Sequence, residues 1–403
     1  MGQMLICKQV KYKIIPINGE KTSVDAMVTP WSHGPNDWRP MALAPDPQTR
    51  TIENAILRNT FEQPVELSAV LHDLCGDKLA CVQRIAQQVN LASEVVLTSM
   101  GSALYSLMPM YEALLDAGQR NVTLVETAEL IAHPERVSKG ALYVLMSRSG
   151  ESREVADFSR WLHERGYCSV GITMTPDSTM GQHSTIMLHD IASYDDIVCI
   201  KAYSSMALCG LFIVHMLDRA TPDPAYVAQL QAAFAWMEDN KRAVLSAIEG
   251  ISALATTDGF YLVSRGCGIN MMRSASLWLE ETAKVMANVM SIDNFFHGPM
   301  ELIRSHAIVK PTTTPLMLDV CGSERSRMIW DRITQAVDEA IYVGPAGGHT
   351  GQARYVLETP KLGLDDPHMM LVQALFFQLL SYQTALVRGI EPGMFFDEGW
   401  VVK

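Results

Sequence analysis

The stretch "GALYVLMSRSGES" (140–152) runs directly into "REVADFSRWLHERG" (153–166), and this junction decides the fold. Residues 141–146 are apolar without interruption, as in a strand covered on both faces. A polar glycine loop follows, then a helix, and then "CSVGITM" (168–174), a second strand. Upstream, "SEVVLTSMGS" (93–102) is a β-rich run ending in a Gly-Ser turn, "ALYSLMPMYEALLDAG" (103–118) is helical, and "NVTLVET" (121–127) is another strand. Strands alternating with helices of this length make βαβ units and a parallel sheet.

The second half repeats the layout. "DGFYLVSRGCG" (258–268) is a strand ending in a glycine turn, and "NMMRSASLWLEETAKVMANVM" (270–290) reads as one helix. "SHAIVKPTTTPLMLDV" (305–320) and "EAIYVGPAGG" (339–348) supply further strands. The expected fold is α/β: two tandem doubly wound domains, each a central parallel sheet flanked by helices. Domain 1 spans 51–220 with its leading helices, and domain 2 spans 221–389 with the linker helices. The first leading helix, "QTRTIENAILRNTFEQ" (48–63), is expected to stop at Pro64. "PHMMLVQALFFQLLSYQTALVRG" (367–389) is a closing core helix, and 390–403 a tail. Residues 1–50 form a proline-rich arm, expected to dock through Trp31 and Trp38.

Composition sets limits on function. Of 403 residues, 48% are hydrophobic and 19% charged, with a formal net charge of −12, as in a packed globular protein. That charge argues against a nucleic-acid or anionic-membrane surface, but not against a small phosphate held by local amides. The eight cysteines are scattered without metal-like spacing, so no metal is expected and a reducing, cytoplasmic setting is.

In open parallel sheets ligands bind beyond the carboxyl ends of the strands. "TSMGSA" (98–103) and "SRSGES" (147–152) leave such ends. Ser147, Ser149 and Ser152 surround Gly150 just before a helix, placing hydroxyls and free amides at a helix N-terminus, a ready anion site. The loop lacks the lysine of a P-loop and the glycine pattern of a dinucleotide fold, so no nucleotide cofactor is expected. The same residues also suit a plain helix cap. A His-Gly-Pro turn occurs twice, at His33 in "WSHGPNDW" (31–38) and at His297 in "NFFHGPMELI" (294–303).

"SRSGES" after a strand, with Gly-Ser one unit earlier, resembles the sugar isomerase (SIS) domain family. "ILRNTFEQP" (56–64), "DDIVCIKAYSSMAL" (195–208) and "SRGCG…SASLWLEETAK…FFHGPMELI" (264–303) are similar, in order, to the isomerase half of glucosamine-6-phosphate synthase. The resemblance covers about 52–392 and implies a double-SIS protein. It places a catalytic glutamate sixteen residues before the His-Gly-Pro histidine, which is Glu281 before His297. Glu280 points about 100° away around a helix, so only one of the two faces the site. It also implies a sugar phosphate held by Ser102, Ser147, Ser149 and Ser152, with Arg148 as a further contact. Cys199 and Lys201 fall in the family's substrate loop, with Cys199 where relatives carry serine.

Such a pair fits proton transfer between C1 and C2 of a sugar, a carboxylate as base and a histidine opening the ring. The family's imine-forming tail lysine has no equivalent in "PGMFFDEGWVVK" (392–403), and no glutaminase domain is read in the chain. The reading is therefore an isomerase, deglycase or deaminase of amino-sugar or ketosamine 6-phosphates, without glutaminase activity. The resemblance also implies at least a homodimer, with the histidine reaching a neighbouring site. The alternative is a non-catalytic phosphosugar sensor, which has no need of the Glu/His pair.

Overall fold

The computed structural model describes residues 54–119, 121–195, 197–304, 312–320, 322–348 and 354–395. The expected arm, His33, and the tail residues Asp397, Glu398 and Lys403 lie outside these. Ten strands are described: β1 (Glu94–Ser99), β2 (Val122–Glu126), β3 (Ala141–Met146), β4 (Ser169–Thr173), β5 (Ile186–His189), β6 (Gly259–Ser264), β7 (Met286–Ser291), β8 (Thr313–Leu318), β9 (Ile341–Pro345) and β10 (Tyr355–Thr359). They form two five-stranded sheets, ordered β2-β1-β3-β4-β5 and β10-β9-β8-β6-β7. Every recorded strand pairing is parallel.

Both orders are the same doubly wound pattern, 2-1-3-4-5, counted from the first strand of each half. Each sheet therefore has one switch point, between β1 and β3 or between β6 and β8, where helices leave on opposite faces and a crevice opens. The apolar run 141–146 is buried throughout, because β3 is central and covered on both sides.

Two helix boundaries differ from expectation. The leading helix runs Ala55–Cys75, straight through Pro64. An internal proline removes one rung and costs about 3 kcal/mol. Here Ile56, Leu57, Phe61, Leu67, Val70, Leu71 and Leu74 are all buried, and that packing offsets the missing rung. The expected single helix over 270–290 instead ends at Ala283, and Met286–Ser291 becomes the edge strand β7. Lys284 makes the break by adopting φ +53° in place of the usual glycine.

The closing helix, Asp366–Val387, is buried along nearly its whole length, against the helices Gly268–Ala283, Pro224–Glu249 and Lys201–His215. It is the one described helix long and apolar enough to cross a membrane, and its apolar surface is spent on this core. The leading helix packs on Lys201–His215 and Pro224–Glu249, so a helical layer joins the two sheets. The described cysteines are all free thiols.

Candidate functional site

The first switch point lies between the loops after β1 and β3. Ser99, at the end of β1, donates its hydroxyl to the Met146 carbonyl at the end of β3, fixing the two exits side by side. The loop after β3 turns at Gly150, whose φ is +63° and whose missing Cβ would sit 1.8 Å from Ser178 Oγ. Only glycine fits. Ser147 is buried; its Oγ accepts from the Gly150 amide at 3.1 Å and lies 3.3 Å from Ser152 Oγ. Ser149 Oγ accepts from the Glu151 amide at 3.2 Å.

Ser152 occupies the N-cap position of the helix Arg153–Glu164, yet its side chain makes no capping bond. At six other helices the N-cap side chain of Asn54, Ser178, Asp223, Ser291, Ser323 or Asp365 does accept from the first turn, whereas Ser152, like Ser252, does not. The capping reading of the serines therefore does not describe this helix. Its first amides stay uncapped by Ser152, with two hydroxyls 3.3 Å apart beside them.

Loop 193–200 closes the crevice from the other side. The Asp195 carboxylate accepts from the amides of Ile200, Lys201 and Ala202, at 3.0, 3.0 and 2.9 Å, and so seats the helix Lys201–His215. Arg148 reaches across to donate to the carbonyl of Ile197 at 3.1 Å, with its guanidinium 4.9 Å from the centre of the Tyr194 ring. Burial pushes the Cys199 thiol up to about 12, so it stays protonated, with Ser102 near it. The Cys199 carbonyl accepts from Trp278 Nε1 at 3.0 Å, tying the loop to the helix Gly268–Ala283.

That helix carries Glu281. Burial raises its carboxyl from the ordinary range to about 7, against the charges of Lys284 and Arg148, while Glu280 pushes the same way as burial. Glu280 is exposed and accepts from the Ala287 amide at the start of β7. Glu281 therefore faces the Arg148–Cys199 side, and Glu280 does not.

The other expected residues divide. Lys201 is buried, and its Nζ donates to Glu62 Oε2 at 2.8 Å and Ser193 Oγ at 2.7 Å. It pins loop 193–200 to the leading helix. His297 lines a separate cavity of about 160 Å³ with Asp293, Phe296, Arg325, Met328, Ile329 and Arg332, and is not among the charged neighbours of Glu281. Within one chain the two are not brought together. Sequence reasoning also passed over Tyr105, one turn after Ser102, whose hydroxyl is raised by burial and feels the charge of Glu281. Its helical spacing from Ser102 was the available signal.

The solved C-terminal domain of glucosamine-fructose-6-phosphate aminotransferase from Francisella tularensis superposes with a TM-score of 0.70 at 17% identity, covering 84% of this chain and 96% of that one. The chain shares that fold. The glucosamine-6-phosphate deaminase of Thermotoga maritima gives a TM-score of 0.68 at 18% identity, over 84% and 96% of the two chains. Among curated relatives, the glutamine–fructose-6-phosphate aminotransferase [isomerizing] of Aeropyrum pernix is 22% identical over 349 residues, 84% of this chain and 55% of that protein. The chain thus spans about half the length of the curated relatives it matches. No protein-family model matches it.

Proposed function

We propose that this double-SIS protein is a phosphosugar isomerase of the deglycase or deaminase kind, acting on an amino-sugar or ketosamine 6-phosphate. The observation that carries the reading is the meeting, at one switch point, of uncapped helix amides and the half-buried carboxyl of Glu281. Ser147, Ser149 and Ser152 with the amides of the Arg153–Glu164 helix suit a phosphate dianion, through charge-assisted hydrogen bonds. Ser102, near the Cys199 thiol, offers one more hydroxyl at the head of the neighbouring helix.

Glu281 serves as base. A carboxyl raised to about 7 is matched to proton transfer near neutral pH. With a 1-amino-2-ketose, Glu281 takes the C1 proton to give an enaminol and returns it to C2, leaving an imine at C1. Water adds there and releases the amine, giving an aldose phosphate. A 2-amino aldose runs the mirrored course, from C2 to C1. The ring-opening proton falls to His297 of a neighbouring copy, since within one chain His297 lies in its own cavity. The names of the relatives support a sugar-phosphate substrate.

Glu281→Gln keeps shape and hydrogen bonding but removes the proton acceptor. Turnover of fructosyl-amine 6-phosphates and glucosamine 6-phosphate should fall roughly 10²–10⁴-fold, with little change in affinity. Because the base must be ionised, wild-type kcat/KM should rise with pH through about 7. In deuterated water the product should carry solvent deuterium at C2, or at C1 in the ketose direction. A protein that binds these phosphates yet exchanges no carbon-bound hydrogen would be a sensor.

A further inference from the structure

Lys284 is the only non-glycine residue with positive φ among the described residues, at +53°. It closes the helix Gly268–Ala283, where its amide donates to the Leu279 carbonyl. Glycine fills such a position without steric cost, whereas a side chain there costs roughly 1–2 kcal/mol. Lysine sits here against the preference of the backbone.

What its side chain reaches explains the choice. Nζ folds back to donate to the carbonyl of Glu281. It also lies 4.8 Å from the centre of the Phe395 ring. Phe395 belongs to a segment laid across this corner: the Gly393 amide donates to the Thr282 carbonyl at 3.5 Å, and Glu391 accepts from Asn54 Nδ2 at 2.6 Å. The ammonium is thus held between the turn that bears Glu281 and the chain's C-terminal segment.

We propose that Lys284 is a positioning residue for Glu281: its ammonium supplies the counter-charge to that carboxylate and ties it to the C-terminal segment. The inference rests on Glu281 being the base. Among the described residues, three charged groups act on Glu281. Lys284 and Arg148 favour its ionised form and Glu280 opposes it. The Cys199 thiol and Tyr105 hydroxyl face it with their protons kept on by burial. Glu281 in turn favours the charged form of Lys284, against the burial that disfavours it. Removing the ammonium therefore drives the carboxyl further up, and the rate limb it governs moves to higher pH.

Lys284→Gly tests this well, since glycine relieves the backbone while deleting the charge. A capping role alone predicts a protein at least as stable and otherwise unchanged. The experiment follows Glu281 by NMR of carboxyl-¹³C glutamate, assigned with Glu281→Gln, alongside the pH dependence of kcat/KM on a fructosyl-amine 6-phosphate. In Lys284→Gly both profiles should move up by about one pH unit, as for a carboxylate losing a neighbouring cation, and Lys284→Arg should restore them. Full turnover in Glu281→Gln overturns the base assignment beneath the inference. A Lys284→Gly protein whose Glu281 titration and rate profile coincide with wild type overturns the inference alone.

Discussion

The two halves of the chain have the same strand order and nearly the same loops, yet treat their switch points in opposite ways. In each, a serine ending the first strand donates to the carbonyl ending the third, Ser99 to Met146 and Ser264 to Leu318. In each, the next loop turns on a glycine of φ near +60°, Gly150 or Gly322. That glycine's amide donates to the first loop residue, which is Ser147 in one half and Asp319 in the other. There they part. Asp319 puts a carboxylate where the first half has a hydroxyl, and Ser323 accepts from the Ser326 amide to cap the following helix. Asp293 pairs with both Arg265 and Arg325 nearby. The second half caps its own helix terminus and supplies its own anion, whereas Ser152 leaves the first half's helix without a side-chain cap. On the proposed function, a duplicated fold keeps one crevice for a ligand and fills the other with its own side chains.

The largest expected contrast is in binding. Ser149→Ala with Ser152→Ala should weaken affinity for a hexose 6-phosphate on the order of 100-fold or more, each lost bond to a charged group being worth about 1.5–3 kcal/mol. Ser323→Ala should leave that affinity unchanged and lower stability by about 0.5–2 kcal/mol, the cost of a lost cap. Isothermal titration and chemical denaturation of both variants read the difference. Equal losses of affinity would erase the contrast between the halves.

A smaller contrast concerns the loop glycines. Gly322→Ala meets nothing nearer than Pro345 at 3.5 Å, so its cost is backbone strain alone, roughly 1–2 kcal/mol. Gly150→Ala adds a clash with Ser178 Oγ and should cost more. Thermal melts that rank the two in the reverse order would show that the first loop is not held as tightly as Ser178 implies.

Much of this was legible in the sequence, because the apolar run of β3 and the glycine loop after it are strong local signals. The breaks that were missed lack such signals. Nothing in "EETAKVMANV" (280–289) marks a helix end, since Lys284 turns the chain where a glycine would have announced it. Pro64 announced an end that burial of its neighbours overrides. At the site, the family resemblance picked Glu281 and helical geometry let only one of Glu280 and Glu281 face inward, but the packing that brings Arg148 near that carboxylate comes from a distant part of the chain. Whether Ser152 caps its helix or leaves it open is a matter of side-chain direction that composition does not encode. The partner of Lys201 is a long-range ion pair with Glu62, and no local pattern reports it.

The difference between the two crevices is tested most directly by a crystal structure of the protein with bound glucosamine 6-phosphate. The phosphate should lie on the amides and hydroxyls of Ser149–Ser152, with C2 of the sugar toward Glu281, and the loop Gly322–Ser326 should hold no phosphate. A phosphate bound at Gly322–Ser326, or one in the first crevice with the sugar turned away from Glu281, would contradict the account.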